Sequence, residues 1–93
     1  MLTSPRVNLV ESDSGFSVEV LGRTGIRYRE GAKVLFVDSE VLVTGKGITV
    51  AAKSIEHWDP PDDAELIGPE KKAIILNNIK DAIGFWNEPV EIV

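Results

Sequence analysis

The chain is predicted to be an α+β domain. An antiparallel β-sheet of about five to seven strands carries one C-terminal α-helix on a face, and a short closing strand follows. Three observations predict this. Before Pro60, short apolar–polar alternations are separated by turns rich in Gly, Asp and Ser. Residues 70–86 repeat their apolar side chains at helical spacing. Residues 89–93 alternate again. With 93 residues the whole chain, 1–93, is expected to form a single domain around one modest core.

The elements follow in order. Arg6 to Glu11 alternates, with Val7, Leu9 and Glu11 on one side and Asn8 and Val10 on the other, as in an edge strand. Ser12-Asp13-Ser14-Gly15 has turn chemistry, because Asp and Ser bond their own backbone and Gly accepts positive φ. Phe16, Val18 and Val20 then share one face, which makes a β-hairpin with the preceding run. After the turn Gly22 to Gly25, Ile26 and Tyr28 point inward and Arg27 and Arg29 outward. Glu30-Gly31 turns the chain again. Val34 to Val37 is apolar at every position, which predicts a central strand covered on both faces, or one that bends. Asp38-Ser39-Glu40 interrupts the run from Lys33 to Val43, so a bend, a bulge or two short strands are expected there. Thr44 to Gly47 reads as a hairpin turn. Residues 48–52 and 54–58 are expected to continue the sheet until Pro60-Pro61 ends it, since proline cannot donate to a ladder.

Leu66 to Glu70 leads into the helix. Pro69 suits the first helical position, where its missing N–H costs nothing, and Glu70 complements the helix dipole. At ~100° per residue, Lys72, Ile75, Leu76, Ala82, Ile83 and Trp86 fall within about 60° of Ile79. That stripe is the expected buried face. Ile74 and Phe85 lie on the outer side, either packed under flanking loops or exposed as a contact surface. Asn87 is placed to terminate the helix, and Pro89 to Val93 to rejoin the sheet at an edge.

Composition narrows the function classes. There is no cysteine, which excludes disulfides, thiolate metal sites and a cysteine nucleophile. The N-terminus has no basic leader followed by an apolar run, and no apolar run approaches the ~20 residues that cross a bilayer. A cytoplasmic protein without a membrane partner is expected. The net charge of −5 disfavours nucleic acid, which calls for clustered Lys and Arg. The charge is concentrated. Glu56, Asp59, Asp62, Asp63, Glu65 and Glu70 fall in one segment without a single Lys or Arg, and exceed the net charge of the whole chain. Such a segment is either a solvated loop or a field that steers a basic partner.

The stretch from Ser54 to Glu70 also holds the one histidine, one of the two tryptophans and three of the five prolines. His57 is the natural general base near neutral pH, and Asp59 would share its face in a strand. No activated Ser or Thr can be placed beside it, so packing or hydrogen bonding is the simpler role. The acids lack the central glycine and ligand spacing of a calcium loop, so neither a metal nor any other cofactor is expected. Gly22 to Gly25 and Gly45 to Gly47 open no helix and carry no phosphate-loop motif. Trp58 and Trp86 read as core residues, or, for Trp58 beside the prolines, as an exposed interface anchor. The residues expected to touch a partner are Glu56, Trp58, Asp59, Asp62, Asp63 and Glu65.

From about Gly31 to Val93 the chain resembles the immunity protein 74 family of bacterial polymorphic-toxin systems. The resemblance runs through VLFVDSEVL (Val34 to Leu42), a glycine turn, Ser54-Ile55-Glu56-His57-Trp58-Asp59-Pro60-Pro61, an acidic loop, the helical positions Ile75, Asn78 and Ile79, and the closing Val90 to Val93. The helix end, Gly84-Phe85-Trp86-Asn87, departs from the simpler polar turn expected there. The resemblance implies a small cytoplasmic protein that binds a cognate toxin domain and blocks it without catalysis. An acidic inhibitor suits a basic target such as a nuclease. The alternatives are an adaptor or self-associating domain (a homodimer through the sheet edge or the Ile74/Phe85 face) and an enzyme using His57 with Asp59.

Overall fold

A computed structural model describes residues 1–41 and 47–93. It contains strands β1 (Leu2–Arg6), β2 (Leu9–Ser12), β3 (Phe16–Val20), β4 (Gly25–Glu30), β5 (Lys33–Val41) and β6 (Ile48–Val50). A 3-10 turn (Ala52–Ser54), helix α1 (Pro69–Gly84) and strand β7 (Val90–Ile92) follow. The strands lie side by side in chain order, so each neighbour in sequence is a neighbour in space. The predicted α+β class with a helix on one sheet face is what the chain adopts. All neighbouring pairs are antiparallel except β6–β7, which is parallel. The parallel pair follows from α1, which carries the chain from the Val50 end of β6 back to its Ile48 end, where β7 begins beside it.

Register explains the core. Val10, Val18, Tyr28 and Leu35 lie opposite one another across β2 to β5 and form one buried row. Val20, Ile26 and Val37 form the next. These rows meet Ile75, Ile79, Ala82 and Ile83 of α1, four residues of the stripe that the helical spacing predicts; its other members, Lys72, Leu76 and Trp86, are only half-buried. Pro69 is the first helical residue. The helix ends two residues earlier than the periodicity implies. Phe85, Trp86 and Asn87 tighten it with bonds to Ala82, Ile83 and Gly84 carbonyls, and Asn87 takes the left-handed φ of 60° that closes many helices.

Three expectations are corrected. Arg6 to Glu11 is not one strand but two, turning at Val7-Asn8. Arg6 pairs with Leu9, and Asn8 exchanges bonds with Val20: its Nδ2 donates to the Val20 carbonyl and its own carbonyl accepts the Val20 N–H. An asparagine side chain that fastens a turn looks, in sequence, like any polar step of an alternation. β5 is covered on one face only. Leu35 and Val37 are buried, whereas Phe36 is 46% exposed on the opposite face. Its ring lies over Gly25, where an added Cβ would come within 2.6 Å of it. Apolar residues on the open face therefore made a one-sided strand look two-sided. The change at Asp38–Ser39 is real, but β5 stays continuous: residues up to Asp38 pair with β4, and Ser39 to Val41 pair with β6.

The third correction concerns Ser54 to Trp58, which is not a strand. Ser54 belongs to the 3-10 turn, and only His57 makes an isolated bridge, to Leu66. Polar side chains and single backbone contacts do the work of a ladder along the free edge of β5. Ala51 N–H donates to the Asp38 carbonyl, Asp38 N–H to Ser54 Oγ (3.0 Å), and Asp59 N–H to the Val34 carbonyl (2.8 Å). The predicted end of β5 at Leu42 and Val43 and most of the Thr44 to Gly47 turn lie outside the described residues. No described helix is long and apolar enough to cross a membrane.

Candidate functional site

The acidic segment forms a closed loop between the 3-10 turn and α1. Its ends are tied by the His57–Leu66 bridge and by Ile67 N–H donating to the Glu56 carbonyl (2.9 Å). Inside it, Asp62 N–H bonds the Asp59 carbonyl and Glu65 N–H bonds the Asp62 carbonyl, each at 3.0 Å. The Pro60-Pro61 peptide is cis. A compact loop with joined ends and internal turns holds its exposed side chains in fixed relative positions.

Two side chains root the loop in the domain. Trp58 is 1% exposed, and its ring stacks against Tyr28 with centroids 6.4 Å apart. It is therefore a core residue and offers no surface of its own, which corrects the expectation that it touches a partner. Its indole N–H donates to Glu65 Oε2 (3.0 Å). Lys33 Nζ donates to both Glu65 oxygens at 2.6 Å and sits 5.7 Å from the centre of the Trp58 ring. Glu65 thus pins the far limb of the loop to β5 through one cation and one indole.

Tyr28 extends this support to the helix. Its hydroxyl donates to Glu30 Oε1 (2.7 Å) and accepts from Asn78 Nδ2 (2.9 Å), while Lys71 Nζ donates to Glu30 Oε2 (2.6 Å). Burial pushes the Tyr28 phenol well above its ordinary range; the Glu30 carboxylate adds to this, against the opposing Asn78 donor. The hydroxyl is held neutral and serves as a structural link between β4 and α1.

The Lys33 hydrogen bonds hold the Glu65 carboxyl below the ordinary carboxylate range, and Glu65 in turn raises Lys33. Glu30 is lowered as well: partial burial pushes it up, but the Lys71 and Tyr28 hydrogen bonds outweigh that. A carboxylate with a depressed folded pKa contributes stability above its unfolded pKa and loses it as pH falls through the folded value. Acidification from about pH 6 towards about pH 2 is therefore expected to lower the urea midpoint and loosen the loop. Indole fluorescence of Trp58 in a Trp86→Phe background reports the second effect. In Glu65→Gln the acid dependence should flatten. An unaltered acid profile in that variant would refute the anchoring role of Glu65.

The remaining predicted residues separate into two groups. Asp59 is half-buried and turned to the sheet, where Oδ1 accepts the Phe36 N–H in a long contact of 3.4 Å. Glu56 and Asp63 are exposed and Asp62 is half-exposed; none of the three enters an ion pair among the described residues. His57 is exposed, and its Nδ1 lies 3.0 Å from the Trp58 carbonyl. With the Asp59 carboxylate turned to Phe36, the two do not form the pair that a shared strand face would have made.

One exposed residue escapes sequence reasoning. Leu66 is 79% exposed, beside His57 and within the acidic loop. Glu65 faces Lys33, so the next residue along the limb faces out. Its neighbours in sequence suggest only an approach to the helix.

Residues 17–92 match the model of a protein family described as Immunity protein 74. The matched span runs from β3 to β7 and includes the whole acidic loop; β1 and β2 precede it. No curated protein and no solved structure matches the chain.

Proposed function

The chain belongs to the immunity protein 74 family, and on that premise we propose that it neutralises a cognate toxin domain by binding it directly, with the loop from Glu56 to Leu66 as the contact surface. One observation carries the choice of surface. The loop is rooted from beneath by Trp58, Asp59 and Glu65, so that Glu56, Asp62 and Asp63 are presented on its support without an ion pair among the described residues. Pre-organisation of this kind reduces the ordering cost of association. Leu66 supplies apolar contact area among the charges, and a desolvated apolar centre within a polar rim is the usual anatomy of an interface.

The charge suggests the chemistry of the partner. Unpaired carboxylates on a fixed loop suit a basic toxin surface, as on a nuclease that receives phosphates, and accelerate encounter by electrostatic steering. Inhibition by occupancy needs no catalytic group and no cofactor, and the protein would act where its toxin is first met, in the cytoplasm of the producing cell.

Asp62→Lys combined with Asp63→Lys tests this reading. Both side chains stand clear of the core, so the fold should persist. Association with the cognate toxin domain should slow about tenfold at low salt, and the difference should shrink as salt screens the field. Stopped-flow binding across a salt series measures it. An association rate that the double variant leaves unchanged at every salt concentration would reject the loop as the steering surface.

A further inference from the structure

The sheet face turned away from α1 carries a second pattern that toxin binding through the loop does not use. Register places Arg27 opposite both Glu19 and Phe36, and Arg29 opposite both Ser17 and Val34. Alternation along β5 puts Asp38 and Glu40 on this same face, and Thr49 and Glu91 continue the Glu40 row onto β6 and β7. The face is thus divided. Its β1 to β4 half holds Arg6, Arg27 and Arg29 together with Glu11 and Glu19, a small positive excess; Glu19 bridges Arg6 (3.2 Å) and Arg27 (3.1 Å) and leaves Arg29 without an ion pair among the described residues. Its β5 to β7 half holds Asp38, Glu40 and Glu91, likewise without one. A concavity of about 180 Å³ is lined by the three arginines together with Glu11 and Glu19, and another of about 350 Å³ opens beside Asp38 and Glu40. Phe36 stands at the boundary, nearly half exposed.

We propose that this open face is a homodimer interface, in which a second copy is related by a two-fold axis lying along the sheet and passing Phe36. A two-fold interface uses the same patch on both partners, so each part of it must find its complement elsewhere on that patch. A face with an excess of arginine over glutamate on one side of an aromatic residue and only carboxylates among the described charges on the other meets that condition. The rotation sets the Asp38/Glu40 half of each copy on the Arg29 half of the other and brings the two Phe36 rings together. A basic toxin is the poorer occupant, because Arg29 has no ion pair among the described residues and would oppose it. The interface adjoins the root of the acidic loop, where Asp59 bonds Val34 and Phe36, and does not draw on Glu56, Asp62 or Asp63.

Sedimentation equilibrium from about 1 μM to about 1 mM tests the proposal. Reversible monomer–dimer exchange that weakens with added salt is the expected result. Arg29→Glu, and separately Asp38→Arg with Glu40→Arg, should each weaken dimerisation at least about tenfold, as lost charge complementarity requires. Mixing the two variants should restore a dimer containing one of each. Phe36→Ser, at an exposed position, should weaken it without reversing any charge, and circular dichroism verifies the fold of each variant. A strict monomer over the whole range overturns the proposal. So does a dimer that the charge variants leave intact, or a monomer whose toxin affinity falls when Arg29 is reversed, which would assign the face to the toxin instead.

Discussion

Replacing Trp58 by alanine is expected to cost about 3–5 kcal/mol, the usual loss when a large aromatic side chain leaves a well-packed core. At 1% exposure its ring is fully enclosed, and it is the largest of the fully buried side chains. Three further losses accompany the cavity. Tyr28 loses its stacking partner, Lys33 loses the ring beneath its ammonium, and Glu65 loses an indole donor. Single domains are stable by roughly 0.05–0.15 kcal/mol per residue, so this one substitution removes a large share of the whole. Urea unfolding followed by far-UV circular dichroism measures it. Trp86→Ala is the control, because Trp86 is only half-buried beyond the end of α1 and should cost clearly less. A loss at Trp58 no larger than that at Trp86 would mean that the loop is not rooted in the core. The same measurement bears on function, since without that root the acids would no longer be held in register.

Ile79→Ala is expected to cost about 2–5 kcal/mol and to lower the melting temperature by about 8 °C or more. Ile79 is fully buried at the centre of the α1 stripe and faces the sheet with Ile75 and Ile83. The isolated helix would be marginal at this length, so docking of the stripe holds it. Ile74→Ala, on the half-exposed outer side, should change stability by no more than about 0.5 kcal/mol. Thermal melts of the pair give the contrast. Equal shifts would contradict the assignment of the two helix faces.

Much of this architecture is legible in the residues. The turns Ser12 to Gly15 and Gly22 to Gly25 and the alternations of β3 and β4 rest on local chemistry that tertiary contacts did not overrule. The periodicity of α1 picked out all four residues that the sheet buries: Ile75, Ile79, Ala82 and Ile83. The Val7-Asn8 turn was hidden because a valine at its first corner and an asparagine that bonds Val20 continue the alternation on either side. Ser54 to Trp58 looked like a strand because Ser54 and Asp59 satisfy the edge of β5 with side chains, a substitution that no local pattern announces. At the site, sequence located the acidic segment and its prolines but not the division of labour within it. Glu65 and Asp59 look like Asp62 and Asp63 in the chain, yet the first two are spent on Lys33, Trp58 and Phe36.

What the sequence determined by itself is therefore the α+β class, the helix with its buried face, and a net negative segment between sheet and helix. These depend on turn residues, on side-chain period and on charge, all of which act over a few residues. Only the tertiary structure decided that Trp58 belongs to the core, that Leu66 stands outside it, and which carboxylates lack an ion pair among the described residues. Those outcomes depend on Lys33 and Tyr28, more than twenty residues earlier in the chain, and on the sheet order that brings β4 and β5 beneath the loop. A charge shows its sign in the sequence, but whether it is spent within the fold or free to meet another molecule is settled only by what folds against it.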